Sequence, residues 1–400
     1  MHPIDLPDQP FNLVCRISTP SNRTDGPKRI DPAYPTILLC HPVWMDSFFF
    51  YPQFDDSLLY ERYNLIAFDL PGHGFTYLKK PAEAKYTLES AVEAIYLGLI
   101  ALDVKLIHVV GSGTGSAQAM RLASLHPGLI ESMTLIMPSS PDEPTFVKTV
   151  FDEWMLSVRK AIFDDDVQSL YLLVENVFDF CTGREGDPAM REMKQEARRL
   201  VESKLSSGQL GMGLPIFENL LRARGTMFTM EEAQNIDFPV LIIQDQRAGN
   251  ESFERMIDII NDTRHRHGEP HGADRVILDG DLIPRWVTLT NPDVLNALIS
   301  AFVQSKFASL PSLPTIPLTP SITRRPSTPR EHSGCHIISP RPRLPPGRKS
   351  FRDMMDELEI QKRRQMEKGG VNVEVEIMIS VDEVGESDDV LSRDSALFQP

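Results

Sequence analysis

A short apolar run, His108-Val109-Val110, leads into Gly111-Ser112-Gly113-Thr114-Gly115 and then into a helix-forming stretch that starts near Ser116. A strand feeding a glycine-rich turn and a helix lifts the residue at the apex out of the sheet, which is how a nucleophilic oxygen is presented to a cleft. The chemistry is acyl transfer, which needs an activated oxygen, a base to take its proton and an acid to orient the base. Here the apex is Gly113, which carries no side chain. Ser112 and Ser116 flank it and are the candidate replacement oxygens. Ser112 precedes the apex and is expected to point away from the cleft, and Ser116 falls in the first helical turn. Either hydroxyl can instead be spent on a backbone group. The same glycines could also form a dinucleotide loop. That pattern fails at Ser116, and Leu135-Ile136-Met137-Pro138 lacks the acidic residue expected about twenty positions on.

The elements that must position this turn are legible as apolar runs. They are Pro35 to Cys40, Asn64 to Phe68, Leu106 to Val110, Met133 to Met137, Phe238 to Ile243 and Arg275 to Leu278. Continuous rather than alternating apolarity predicts strands covered on both faces, hence a mostly parallel sheet. Helix-like stretches lie between them, at Leu88 to Leu102 and Ala117 to His126, so the fold class is α/β with helices on both faces of a central sheet. The fourth and fifth runs are about 100 residues apart, far beyond an ordinary connection. Helices expected at Phe151 to Phe163, Asp166 to Phe180 and Pro188 to Leu205 make that insert a helical cap. The domain reading is an N-terminal segment (1–34), a core in two parts (35–140 and 237–306), the cap (141–236) and a tail (307–400).

The net charge of −15 disfavours a nucleic-acid or anionic-membrane binder, because phosphate surfaces demand clustered Lys and Arg. Cys15, Cys40, Cys181 and Cys335 are scattered, without metal or disulfide spacing, so neither a metal nor a cofactor is expected. Met1 to Asp5 shows no basic region followed by an apolar run, and no segment has the ~20 apolar residues that span a bilayer. A cytoplasmic or nuclear location is therefore the expectation. The tail begins dense in Pro, Ser and Arg and ends acidic, a composition that cannot bury a core. Arg324-Arg325-Pro326-Ser327, Thr319-Pro320, Thr328-Pro329 and Ser339-Pro340 look like kinase sites. Phe351, Met354, Met355 and Leu358 are spaced for a short amphipathic helix that could dock a protein partner.

Several ordered motifs carry a family resemblance. His41-Pro42 after the first strand resembles the His-Gly oxyanion turn of α/β-hydrolases. Phe68-Asp69-Leu70-Pro71-Gly72-His73-Gly74-Phe75-Thr76 is similar to their D-x-P-G-x-G-x-S segment, Leu122 to Pro127 to the helix ending in His-Pro, and Asn291 to Asn296 to the turn opening the last helix. The resemblance implies a Ser-acid-His order along the chain. The matched positions are Gly113, Ala248 and Arg285, with Asp245 as acid if the register shifts, and Asp142 or Glu143 at the position of a known family variant. Arginine stays protonated and cannot serve as a base, and glycine offers no nucleophile. His41 either lines the pocket or fixes its turn. The backbone N–H groups of Val43 and Thr114 are the expected remnant of the oxyanion nest, although Pro42 replaces the usual glycine. Asp69 and His73 are expected to stabilise their loop.

The resemblance therefore implies a branch without the triad, loosely similar to the N-myc downstream regulated family, which keeps a glycine at the apex and adds a phosphorylatable tail. Within it, the cleft under the cap would hold a small apolar or anionic ligand, with Arg285 and Arg247 supplying positive charge unless Arg285 pairs with Asp281 or a cap carboxylate. The competing reading is an active serine-type, esterase-like hydrolase using displaced residues such as Ser112 or Ser116. Epoxide hydrolases place Asp at the apex, which this chain does not.

Overall fold

The computed structural model describes residues 1–306 except 5, 7–8, 23–28, 80–85, 139–144, 183–187, 224–231, 233–234, 246–250, 267–272 and 279–285, and residues 307–400 lie outside the described set. The tail motifs and the Phe351 to Leu358 pattern fall in that last stretch.

The strands, in chain order, are β1 (His2–Ile4), β2 (Phe11–Ser18), β3 (Thr36–Cys40), β4 (Asn64–Asp69), β5 (Tyr77–Leu78), β6 (Ile107–Ser112), β7 (Ile130–Ile136), β8 (Val240–Asp245) and β9 (Ala273–Leu278). They lie in the order β1-β2-β4-β3-β6-β7-β8-β9, with β5 on β2. The six apolar runs form the parallel part, β4 through β9 along this order. The antiparallel strands β1, β2 and β5 were not among the expected elements. Residues 2–4 and 11–18 of the 1–34 segment thus belong to the sheet. β2 escapes notice because Asn12 and Arg16 interrupt its apolar run, and pairing with β4 decides its conformation.

β3, β4 and β6 are buried at every position, as strands covered on both faces must be. Their side chains alternate between two cores. Leu38, Ile66, Val109 and Met133 face one, with Ala91 and Ile95 of α3 (Leu88–Ala101) and Met120 of α4 (Gly115–Leu125). Leu39, Leu65, Val110 and Ile243 face the other, with Leu295, Ile299 and Phe302 of the last helix (Pro292–Lys306). Burying each large aliphatic or aromatic side chain contributes about 1.5–3 kcal/mol, so the double-sided sheet supplies most of the stabilisation. Two single-turn helices, α1 (Tyr51–Phe54) and α2 (Ser57–Tyr60), link β3 to β4.

The insert after β7 contains α5 (Thr145–Phe163), α6 (Val167–Thr182), α7 (Pro188–Ser206) and α8 (Gln209–Ala223). The first three match the expected cap helices to within a few residues, except that α5 starts six residues earlier. The sequence reading did not resolve α8, because Gly211, Gly213 and Pro215 argue locally against a helix. The helix sits close on the β4–β5 turn: an ideal Cβ on Gly213 would lie 3.3 Å from the Phe217 ring and 3.5 Å from Gly72 Cα. The core closes with α9 (Glu251–Arg266), α10 (Val287–Thr290) and α11 (Pro292–Lys306). Among the described residues no helix is long and apolar enough to cross a membrane.

Polar contacts seat the cap on the core. The Gln209 side chain pairs with both backbone groups of Leu78, accepting from its N–H at 2.7 Å and donating to its carbonyl at 3.0 Å. Lys204 Nζ donates to Gly72 O at 2.9 Å and lies 5.1 Å from the Tyr77 ring centre. Nearby, Asp69 accepts from the N–H groups of Ser47 and Phe75 at 2.7 and 2.8 Å, and Asp46 accepts from Phe48 N–H at 2.8 Å. Burial, and then the charge of Asp69, pushes the Asp46 carboxyl up to about 7, while burial draws Lys204 down to about 8.

These shifts set a pH dependence whose sign is fixed. Between the ordinary value of 3.8 and about 7, the folded state holds the Asp46 proton that the unfolded chain has lost. Asp46 therefore makes stability fall as pH rises through that window and level off above it. Asp46→Asn keeps an acceptor for Phe48 N–H and removes the titration. The urea midpoint of the parent relative to the variant is expected to drop as pH rises from 4 to about 7 and then stay constant; a difference independent of pH would contradict this assignment.

Candidate functional site

β3 is the point where strand order reverses, since β4 lies on one side of it and β6 on the other. Ligand crevices in open parallel sheets form beyond the carboxyl ends at such a point. Cys40 pairs with Gly111 in register, so His41 leaves the sheet level with Ser112, one residue before the Gly113 apex. Gly113 has φ +54, its N–H donates to Ile136 O at 2.8 Å, and its carbonyl accepts from Ser116 N–H at 3.0 Å. The apex thus keeps the left-handed conformation of a nucleophile turn, at no steric cost to glycine. An ideal Cβ on Gly113 would meet nothing nearer than the Pro42 ring at 3.9 Å, so the space for a side chain is open. Gly115 is the opposite case: a Cβ there would lie 2.0 Å from Cys40 O.

Each candidate hydroxyl near the apex is engaged. Ser112 Oγ lies 3.0 Å from Thr288 Oγ1 of α10, and Ser116 Oγ donates to Gly111 O at 2.9 Å. Both serines are fully buried. Val43 N–H, half of the expected oxyanion nest, donates to Thr114 Oγ1 at 2.7 Å. Thr114 thus occupies with its own hydroxyl the donor that an oxyanion would use, which corrects the expectation of an open nest.

His41 fixes its turn. Its Nδ1 lies 2.8 Å from Pro42 O and acts as donor, and its Nε2 accepts from Leu70 N–H at 3.2 Å. Burial lowers its pKa, so the imidazole is neutral with the proton on Nδ1. His73 likewise places Nδ1 3.2 Å from Pro71 O and is held well below the ordinary histidine range by burial and by His41. The buried Cys40 thiol at the end of β3 is pushed up to about 12, which removes it as a nucleophile near neutral pH.

Asp245 ends β8 opposite Leu278. Asp142, Glu143, Arg247, Ala248, Asp281 and Arg285 lie outside the described residues. One Ser-His-carboxylate set appears elsewhere: His108 Nδ1 is 2.8 Å from Ser132 Oγ, and its Nε2 is 3.2 Å from Glu131. It sits at the amino ends of β6 and β7, away from the crevice, with Ser132 buried in the sheet, and it ties the two strands together. Among the described residues no three His, Cys, Asp or Glu side chains gather as a metal site would need.

Sequence reasoning missed an aromatic seam between the turn after β3 and helices α5 and α8. Trp44, at φ 76, stacks on Phe217 of α8 with centroids 4.4 Å apart and meets Trp154 of α5 edge-on at 4.6 Å. Phe217 also contacts the His73 ring at 4.5 Å. Trp44 could have been flagged by its place three residues after His41. Trp154 and Phe217 look like ordinary apolar helix positions, and only the docking of the cap brings them to the turn.

Comparison with known proteins agrees with this geometry. The family model described as alpha/beta hydrolase fold matches residues 35–272. A probable lysophospholipase of Arabidopsis thaliana, BODYGUARD 2, is 38% identical over 96 residues, which cover 24% of this chain and only 19% of that protein. MGS-M2, an alpha/beta hydrolase enzyme from a Medee basin deep-sea metagenome library, superposes with a TM-score of 0.55 at 16% identity, over 77% of this chain and 98% of that one. The enol-lactonase of Burkholderia xenovorans LB400 gives 0.51 at 17% identity, over 74% and 97%. Likeness at such identity speaks to fold alone. By sheet order, by the turn after β6 and by the span of the family match, this chain belongs to the alpha/beta hydrolase fold family.

Proposed function

We propose that this protein is a non-catalytic member of its family that binds a small ligand in the crevice beneath its cap. The observation that carries the reading is the bare apex: Gly113 keeps the backbone of a nucleophile turn with open space and no oxygen. The engagement of Ser112 with Thr288 and of Ser116 with Gly111 supports it, as does the Val43–Thr114 hydrogen bond. Arg285 at the position matched to the base, and Ala248 at that of the acid, support it from the sequence. On this reading the protein needs no cofactor, acts in the cytoplasm and engages a protein partner through residues 307–400.

A serine-type hydrolase acting on ester bonds is the second reading, favoured by the name of the BODYGUARD 2 relative. It would require Ser112 or Ser116 to leave its present partner and find a base.

Turnover of short-chain nitrophenyl esters separates the two. The full chain is expected to show none above buffer, and activity abolished by Ser112→Ala or Ser116→Ala would overturn the non-catalytic reading. Gly113→Ser is expected to fold with a loss of about 1–2 kcal/mol from the left-handed backbone. It should gain no esterase activity, because no base accompanies the new hydroxyl. Gly115→Ala, by contrast, should lose about 3 kcal/mol in urea denaturation, since its methyl group overlaps the end of β3.

A further inference from the structure

We propose that Trp44 and Trp154 donate their indole N–H groups to the carbonyl oxygen of an uncharged, flat apolar ligand seated in the seam between the His41–Trp44 turn and helices α5 and α8. The proposal rests on the ligand-binding reading above and names the class of ligand. Trp44 Nε1, Trp154 Nε1 and His73 Nε2 are all buried and without a hydrogen-bond partner. Trp154 is 7% exposed and His73 2%. The rings that carry them form one contiguous group, Trp154 on Trp44, Trp44 on Phe217 and Phe217 on His73.

A buried donor left unmade costs about 1–3 kcal/mol, and native structures keep few of them. Here two such donors lie on touching rings with an unpartnered acceptor close by. Because the indoles meet edge-on, at 76°, at most one N–H can face the other ring, so mutual contact cannot satisfy both. His73 offers the complementary function. Its Nδ1 donates to Pro71 O, which leaves Nε2 as a lone pair able to accept from a ligand hydroxyl. Trp44 also holds a left-handed backbone that is strained for a non-glycine residue, and such strain concentrates at ligand sites.

The ligand's charge follows from its surroundings. None of the three groups is ionised, and a charged ligand would pay desolvation without a counter-charge among them. Thr114 occupies the Val43 N–H that would otherwise anchor a carbonyl at the apex. The polar anchor is thereby displaced from the turn to the indoles, and the open space at the Gly113 Cβ position, bounded by the Pro42 ring two residues before Trp44, would take the apolar body.

The chain has three tryptophans, so its indole N–H resonances form a small, assignable set in a nitrogen–proton correlation spectrum. Trp286 is the internal control, packed between Phe49 and Phe178 in the other core. The full chain is titrated with 4-hydroxyacetophenone, with acetophenone (no hydroxyl), with 4-ethylphenol (no carbonyl) and with 4-hydroxybenzoate (an anion). Two of the three indole protons are expected to move downfield with both ketones, further populated with the hydroxylated one, while Trp286 stays still. Trp154→Phe should weaken 4-hydroxyacetophenone about five- to tenfold, the loss of one hydrogen bond. Unmoved indole protons, an equal response to 4-ethylphenol, or tighter binding of 4-hydroxybenzoate would each overturn the proposal. The matched ligands act on the unmodified chain, so a poorly folded variant cannot mask the answer. Ester turnover would remove the non-catalytic reading while leaving the indole test intact.

Discussion

The contact on which the rest of the structure depends is the backbone-to-backbone approach of the first turn of α4 to the end of β3. A methyl group at Gly115 would lie 2.0 Å from Cys40 O, so only glycine lets the helix start there. That approach forces the chain to reverse within Ser112 to Gly115 and sets φ at Gly113 to +54. It also brings Thr114 over the turn after β3, where its hydroxyl meets Val43 N–H. The sharp turn is therefore maintained by packing that does not involve the apex side chain. Such a turn stands without an apex side chain, because the contacts that hold it are made by Gly115, Thr114 and the backbone.

The cap is held by a different kind of force. The Gln209 amide extends the hydrogen bonding of β5, and Lys204 reaches the Gly72 carbonyl from α7. Asp46 and Asp69 compensate the buried ammonium, but incompletely, which is why burial still draws Lys204 down and pushes Asp46 up. Buried charges contribute little net stability compared with apolar contacts of similar volume. What they supply here is position: α8 lies on the Gly72 turn, and Phe217 is carried to the rings of Trp44 and His73.

Chemistry at the crevice follows from these two constraints together. The hydroxyls nearest the apex are satisfied by Thr288 and by the Gly111 carbonyl, His41 by Pro42 and Leu70, and His73 at its Nδ1 alone, by Pro71. Neutral, hydrogen-bonded imidazoles and a thiol near 12 make a site poor in nucleophiles and bases. The aromatic seam contributed jointly by core and cap holds three buried polar atoms without partners, on Trp44, Trp154 and His73.

Much of this was legible in the residues alone. Apolar runs such as Pro35 to Cys40 and Asn64 to Phe68 encode strands buried on both faces, because burial on two sides leaves few positions for a polar residue. The glycine at 113 declares the missing oxygen, since a side chain that is absent from the sequence is absent from any fold. The edge strand β2, the helix α8 with its internal Pro215, the capture of Val43 N–H by Thr114 and the meeting of Trp44 with Trp154 were not legible. Each depends on partners 47 to 110 or more positions away, or on backbone proximity that no local pattern encodes. Local composition determines which segments can be strands and which side chains exist. Only the tertiary structure decides which buried donors meet an acceptor and which are left waiting for one, because hydrogen bonding is settled by distances of a few ångströms between elements the sequence keeps far apart.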